Sequence, residues 1–450
     1  MNNCLSDEEH SQLGSYEVGL IKLLVNTEDD LKDLNKLRDP CFSADWLPTF
    51  FHEYVHFLQD ISTTQGLLNF ILQIEELRNV SKVVRDSNER TFHVPLIINN
   101  EYNFSTNIEL LSIYKGVSSD QNMQYELRSA AYDSYSFEMI DITTSNQSKL
   151  HIPKYTVKYL DTDAQSYVQC HFGSRHIKEY MAHALQTQFA TDTHHEDIPY
   201  LLTEQILKKE APMLAKDDSL MVAFCDASLM NMHPAELFFK SIEKLKLTPD
   251  IEFHDVQSVY DFIQTGWENC DPKPFGKTVT DVYAYFCNEA INQFNDSLKG
   301  VIFERNRIWF TKIIENAKNL RTSQQGFITE LVESPRKFSL KFFEVLELVG
   351  TPYVTNIKGK GYFIPPKTIS YLAIEPEFLK VFQAVRRTFQ GHKQCSMHKH
   401  CNAEPSTDIT NKLCKTAPWE RVNDTTLCPY AQLWKTWDFA GKTPTTSLIE

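Results

Sequence analysis

Apolar side chains recur every three or four residues through most of this chain, which predicts a largely helical protein. The segments with this spacing are 64–86, 175–189, 200–209, 219–230, 235–247, 256–267, 279–298, 303–320, 327–348 and 377–389. Strand-like patterns are limited to a buried run at 18–25 and to predicted hairpins at 154–172 and 351–366. The pattern therefore predicts an α+β fold that is predominantly helical and has small β elements.

A further predicted helix, which begins near residue 47, carries two histidines and a glutamate in a metal-binding pattern. Residues 52–56 read His-Glu-Tyr-Val-His, the motif His-Glu-x-x-His. Side chains four positions apart lie on one helix face, so His52 and His56 can bind one metal ion with Glu53 at its flank. Neutral imidazoles suit Zn²⁺, the ion lowers the pKa of a bound water, and a carboxylate takes the proton as that water attacks a carbonyl. The apolar side chains of this helix are predicted to lie largely opposite the histidines.

This motif resembles that of the zincin metallopeptidases, and the resemblance covers the motif helix and a candidate third ligand. It implies a zinc-dependent hydrolase with a zincin-like catalytic core, in which His52 and His56 are zinc ligands and Glu53 is the general base. The substrate that it implies is a peptide or a protein.

A catalytic zinc has three protein ligands and one open position, and two glutamates compete for the third place. Glu179 shares a helix face with His183 and Gln186, and Glu-x-x-Ala at 179–182 resembles the third-ligand helix of glutamate-type zincins. Glu75 follows His56 at a spacing familiar in the same group of enzymes. We expect Glu179 to be the ligand, with Glu75 as the alternative.

Residues that would support the metal site are less clearly indicated by the sequence. Gln59 or Asp60, near the end of the motif helix, could accept a proton from the outer nitrogen of a ligand imidazole. His233 and Tyr180 are available as donors that stabilise a transition state, but spacing does not place either of them. The sequence leaves that role open.

Four of the ten cysteines cluster near the end of the sequence, which favours a structural metal over free thiols. They are Cys395, Cys401, Cys414 and Cys428. His398 or His400 could replace one thiolate. The spacing lacks the Cys-x-x-Cys pairs of a zinc ribbon, and a proline follows the last cysteine as in some iron–sulfur proteins. The cofactor predicted for this tail is either a second, structural Zn²⁺ or an iron–sulfur cluster.

The charge and the apolar runs restrict the partners of this protein. A net charge of −14 argues against nucleic acid as a partner. The longest apolar runs are far shorter than the ~20 residues of a membrane span, and the N-terminus does not read as a signal peptide. Abundant cysteine without a secretory signal fits a reducing compartment, so we expect a cytoplasmic protein. The oligomeric state is not indicated.

The combined patterns predict four parts. Residues 1–14 form a flexible tail, 15–195 a zincin-like catalytic core with an insertion at about 87–150, 196–390 a mainly helical region, and 391–450 a cysteine-rich metal-binding tail. The predicted function is that of a zinc metallopeptidase. Two alternatives stay open: an inactive zincin-like binding or regulatory protein that uses the cysteine-rich tail for recognition, and a zinc hydrolase of a non-peptide amide.

Overall fold

The fold is α+β and predominantly helical, as the hydrophobic pattern predicts: the computed structural model is 55% helical, with about 16% strand in small sheets. The structure describes residues 14–17, 21–39, 41–96, 104–117, 123–143, 149–190, 195–267, 278–398, 401 and 410–446. Within these residues no helix combines the length and the apolar character that crossing a membrane requires. The predicted tail at 1–14 lies outside the described residues except for its last position.

The helices of the described residues are labelled in chain order. They are α1 (Leu47–Ser62), α2 (Thr64–Asp86), α3 (Phe104–Lys115), α4 (Ser174–Phe189), α5 (Asp197–Tyr200), α6 (Leu202–Glu210), α7 (Asp218–Ser228), α8 (Pro234–Leu247), α9 (Val256–Trp267), α10 (Val279–Ser297), α11 (Glu304–Ser323), α12 (Leu340–Val349), α13 (Lys380–Phe389), α14 (Leu413–Thr416) and α15 (Pro429–Thr436). Short 3₁₀ helices connect several of them, at Leu31–Lys36, Val301–Phe303, Phe327–Glu330, Lys367–Ile369, Pro376–Leu379 and Pro418–Asn423.

The strands form four small sheets. They are β1 (Gly14–Glu17), β2 (Lys22–Val25), β3 (Thr91–Val94), β4 (Ala130–Thr143), β5 (Lys149–Asp161), β6 (Ser166–His171), β7 (Val332–Ser334), β8 (Lys337–Phe338), β9 (Tyr353–Asn356), β10 (Gly361–Tyr362) and β11 (Thr443–Thr446). One sheet has the order β1-β2-β9-β10, in which only β2 and β9 are parallel. The strands β4, β5 and β6 form an antiparallel meander, β3 and β11 pair in parallel, and β7 and β8 form a hairpin.

Most of the predicted helices are confirmed with small shifts at their ends, and α2 and α9 have the predicted bounds. The helix predicted at 327–348 is wrong in its first half, where a 3₁₀ turn and the hairpin β7–β8 precede α12. The physical cause is the turn between the two strands. Pro335 has no backbone N–H, and Arg336 has a φ of 59°, a left-handed conformation that a helix excludes.

The motif helix α1 lies in the interior of the molecule, packed against α2, α4, α11 and the strands β1 and β2. Pro48 occupies its first turn, where a missing N–H costs nothing. Thr63 ends α1 and caps α2, since its hydroxyl accepts from the backbone N–H of Gly66 at 3.1 Å. The sequence predicts that α1 has one apolar, buried side. In the structure the side that carries the histidines is buried as well.

A contiguous set of buried apolar residues runs from Ile21 to Phe439. It includes residues from both sides of the predicted boundary at 195/196. The division of the chain into four parts stays a prediction.

Candidate metal centre

Three side chains from α1 and α4 meet at one point. His52 Nε2 and His56 Nε2 lie 3.2 Å apart, and each lies 3.3 Å from Glu179 Oε2. A tetrahedral ion with bonds of ~2.0–2.1 Å holds its ligands ~3.3–3.4 Å apart, so the three atoms have the spacing of one face of a zinc coordination tetrahedron. Among the described residues this is the group of histidine, cysteine and acidic side chains with the geometry to hold a metal ion.

The outer nitrogens of both histidines are held by glutamine side chains. His56 Nδ1 lies 2.9 Å from Gln59 Oε1, and His52 Nδ1 lies 3.1 Å from Gln186 Oε1. An amide oxygen only accepts, so in the neutral imidazoles each Nδ1 donates and each Nε2 carries a lone pair. The orientation of the Gln59 amide is fixed because its Nε2 donates to the carbonyl oxygen of Lys178 at 3.1 Å.

When both imidazoles are neutral, two lone pairs and a carboxylate oxygen therefore point at the same small volume. This arrangement is repulsive unless a positive charge lies between the three atoms. A divalent cation supplies that charge, and the paired amides are the kind of support that orients metal-bound imidazoles. The donor set consequently suits a metal ion.

The helices that carry the three side chains are joined beside the site. Lys178 and Asp60 form a partly buried ion pair between α4 and α1. The carbonyl of the same lysine accepts from Gln59, so two contacts fix the α1–α4 crossing next to His56. The prediction that Gln59 or Asp60 accepts from a ligand imidazole is met by Gln59, whereas Asp60 serves the ion pair.

The charges at the site act strongly on one another. Burial alone would lower the pKa of His56, but the Glu179 carboxylate outweighs it and raises that pKa to about 9. Burial likewise opposes ionisation of Glu179, yet the two imidazoles hold its pKa well below the usual range. The pocket thus favours one negative charge on the glutamate and a positive charge beside it.

Glu53 lies beside the three-atom group and is almost fully buried. Burial raises the pKa of its carboxyl, and the imidazoles of His52 and His56 partly oppose that shift. Strand β1 passes close to it, since a Cβ on Gly14 would lie 3.1 Å from Glu53 Cγ. The carboxyl group is therefore held in a confined space next to the two histidines.

Two further side chains, which the sequence pattern did not single out, border the site. The ring of His195 lies 5.9 Å from that of His52, and its Nε2 donates to Gln186 Oε1 at 3.0 Å. The ring of Tyr200 lies 5.9 Å from that of His52 and 4.4 Å from that of His195. Burial, then the carboxylates of Glu179 and Glu53, raise the pKa of Tyr200, so its hydroxyl keeps its proton. The only sequence signal was a histidine soon after the Glu179 helix.

His183, which the sequence pattern placed on the Glu179 face, lies in the same group. Its ring is 5.0 Å from that of His195 and 6.0 Å from that of Tyr200. Burial lowers its pKa to about 4, so the imidazole is neutral at pH 7. Its Nδ1 has no hydrogen-bond partner within the described part of the chain.

The structure places the other sequence candidates elsewhere. Glu75 lies on α2, where its carboxylate accepts from Asn107 at 3.4 Å and is not part of the three-atom group. His233 caps α8 and contacts the carbonyl oxygen of Pro153 at 2.6 Å. Tyr180 is buried on α4, where burial, followed by the nearby Cys225, raises the pKa of its phenol well above the usual value.

The cysteine-rich tail contributes four free thiols, of which three are buried and that of Cys401 is half-buried. The backbone N–H of Cys395 donates to the carbonyl oxygen of Cys414 at 2.8 Å, and Cys428 caps α15. His398 has no described contact with these thiols, and His400 lies outside the described residues. The tail therefore has buried cysteines close together, far in sequence from the histidine pair.

Comparison of the chain with protein-family models, with curated proteins and with solved structures finds no match.

Proposed function

We propose that this protein is a zinc-dependent metallopeptidase, with Zn²⁺ held by His52, His56 and Glu179. The observation that carries the proposal is the triangle of 3.2–3.3 Å between the three donor atoms. Two imidazole nitrogens and one carboxylate oxygen leave a fourth position open, as in catalytic rather than structural zinc sites. The His-Glu-x-x-His motif and the glutamate third ligand support the zincin type.

The zinc would lower the pKa of water at the open position and polarise the carbonyl of the scissile bond. Glu53, one residue along α1 from the first ligand, is placed to take the proton from the attacking water and to pass it to the leaving amine. Its burial keeps bulk water away from that transfer.

Tyr200 and His195, whose rings each lie 5.9 Å from that of His52, are the candidates for the donors that the mechanism needs. A protonated phenol and an imidazole N–H can donate to the oxygen that gains negative charge during attack. Tyr200 is the better placed of the two, because Nε2 of His195 already donates to Gln186. We assign the stabilising role to the Tyr200 hydroxyl.

Replacement of Glu53 by Gln tests the proposal, because it removes the base and leaves the three ligands. The variant should keep its zinc and cleave members of a peptide library ~10²–10⁴-fold more slowly than the wild type. Cleavage is measured by mass spectrometry and zinc by elemental analysis. Glu75→Gln, on α2 and outside the site, is the matched control and should cleave at the wild-type rate.

Two outcomes would contradict the proposal. Cleavage by Glu53→Gln at the wild-type rate would remove the residue from the mechanism. Zinc-loaded wild type that cleaves no peptide of the library would favour a binding protein or a hydrolase of another amide.

A further inference from the structure

The cysteines of the C-terminal tail come from three segments. Cys395 and Cys401 follow α13, Cys414 is in α14, and Cys428 caps α15. Three of the four side chains are only 5–6% exposed, and none of the four is in a disulfide. A group of buried free thiols that meets from three segments needs a physical reason.

The four sulfur atoms share one region of the fold. The backbone N–H of Cys395 donates to the carbonyl oxygen of Cys414 at 2.8 Å, which brings these two segments into contact. The side chains of Cys401, Cys414 and Cys428 all lie near enough to that of Cys395 to act on it electrostatically. Four neighbouring thiols of this kind can bind a metal ion or a cluster as thiolates.

The spacing of the sulfurs distinguishes between metal groups. A single zinc with bonds of ~2.3 Å would bring all four sulfurs within ~3.8 Å of one another. Among the described residues, however, no three cysteines have their sulfurs within 4.8 Å of one another. The sulfurs are therefore spaced more widely than the four ligands of a single zinc. An iron–sulfur cluster places iron and sulfide between its four cysteines and needs that wider spacing.

Donors to sulfur surround the same region. Arg421 is 5% exposed, and its Nη1 donates to Cys414 Sγ at 3.1 Å. The backbone N–H of Ala431 donates to Cys428 Sγ at 3.5 Å. Hydrogen bonds to sulfur and a positive charge stabilise the negative charge of a four-thiolate cluster. Cys395 and Cys428 also belong to the apolar core, which limits access of water.

We propose that Cys395, Cys401, Cys414 and Cys428 bind an iron–sulfur cluster that is independent of the site at His52 and His56. Its role is structural, because the tail is joined to the rest of the molecule on both sides of the four thiols. Before them, the backbone N–H of Leu96 donates to the carbonyl oxygen of Phe389 at 2.9 Å. After them, Trp437 Nε1 donates to the carbonyl oxygen of Ser297 at 2.8 Å, and β11 pairs with β3. A cluster between these attachments would cross-link the short segments that carry the four thiols. This inference goes beyond the proposed peptidase activity.

Purification of the full-length protein without oxygen tests the proposal. We expect brown protein with absorbance near 400 nm and about two to four iron and as many acid-labile sulfide per chain. Cys414→Ser and Cys401→Ser should lose the iron and the colour. Cys41→Ser is the matched control, since Cys41 is exposed, free and outside the tail; it should keep both.

Measuring iron and zinc separately distinguishes the cysteine site from the site at His52 and His56. Iron should disappear in the tail variants while zinc stays, and the reverse should hold for His56→Ala. If Cys414→Ser fails to fold, removal of iron from the wild type with a chelator and reconstitution with ferrous iron and sulfide give the same answer. One zinc per chain that is lost in Cys401→Ser, or colourless wild type that takes up no iron, would overturn the proposal.

Discussion

His56 determines how the candidate metal centre responds to pH. Burial opposes its charge, but the Glu179 carboxylate outweighs burial and raises the pKa to about 9 in the absence of metal. Nε2 therefore holds a proton at pH 7, and a metal ion must displace it. Below pH 9 the affinity for zinc should fall as the pH falls, by up to about tenfold per unit from this group.

Calorimetry in buffers of different ionisation enthalpy measures this exchange. Zinc binding to the metal-free protein at pH 7 should release about one proton, and the number should fall towards zero above pH 9. Zinc binding at pH 7 with no proton release would show that His56 is not displaced by the metal.

Tyr200 should contribute to the reaction without contributing to metal binding. Tyr200→Phe removes the hydroxyl and keeps the ring that packs near His52 and His195. Loss of one donor to the developing oxyanion should lower kcat by ~10²-fold at unchanged zinc content. Steady-state peptide cleavage with parallel elemental analysis checks this.

Tyr180→Phe is the matched control for that substitution. Tyr180 follows Glu179 on α4, but its phenol is buried, and the charged groups that act on it are Cys225, Glu204 and Asp218, none of which belongs to the site. It should retain wild-type cleavage. Equal kcat for Tyr200→Phe and the wild type would contradict the role assigned to the hydroxyl.

At this scale the sequence predicts the three residues of the candidate metal centre better than their surroundings. His52 and His56 follow from a spacing within one helix, and Glu179 from the polar face of another. Tyr200 could not be found in this way, because it reaches the site only after the chain reverses beyond α4. Gln186 was visible on the Glu179 face, but its contact with His52 depends on how two helices cross.

The position of α4, which carries Glu179, depends on a close backbone contact at its start. A Cβ on Gly173 would lie 2.3 Å from the backbone N of Gly116 and 2.4 Å from the backbone C of Lys115. Neither backbone atom can yield as a flexible side chain would. Gly173→Ala should therefore push α4 away from α3, with a loss of about 1–3 kcal/mol in unfolding free energy and weaker zinc binding.

Urea unfolding and zinc titration measure the two effects. Gly359→Ala is the control: a Cβ there meets nothing within 4 Å, and its φ of 75° adds only local strain, about 1 kcal/mol. It should bind zinc as the wild type does. The account of α4 would fail if Gly173→Ala matched the wild type in both measurements.

Helices with long periodic patterns, such as α1, α2 and α9, can be predicted from the sequence, whereas β4 could not. Its 14 residues have apolar side chains on both faces, with Phe137 and Met139 exposed and Ile142 buried. A bulge between Tyr132 and Ser134 also shifts the alternation by one position. Both features disrupt the regular alternation of apolar and polar side chains from which a strand is recognised.

Over the whole molecule, contacts between distant parts of the chain position the site. Strand β2 pairs with β9, more than 300 residues away, and both β1 and β2 pack on the motif helix. Arg321 on α11 donates its Nε to the carbonyl oxygen of Ser62, at the end of the same helix, at 2.9 Å. A hydrophobic pattern predicts which segments are strands or helices but not which of them meet.

Metal content is the most direct test that α1 and α4 together form a zinc site. Wild type, His56→Ala, Glu179→Ala and Glu75→Ala are purified in parallel, and zinc is measured by elemental analysis with iron determined separately. The account predicts about one zinc per chain in the wild type and in Glu75→Ala, and almost none in the other two. Equal zinc in all four proteins, or loss of zinc in Glu75→Ala alone, would contradict it.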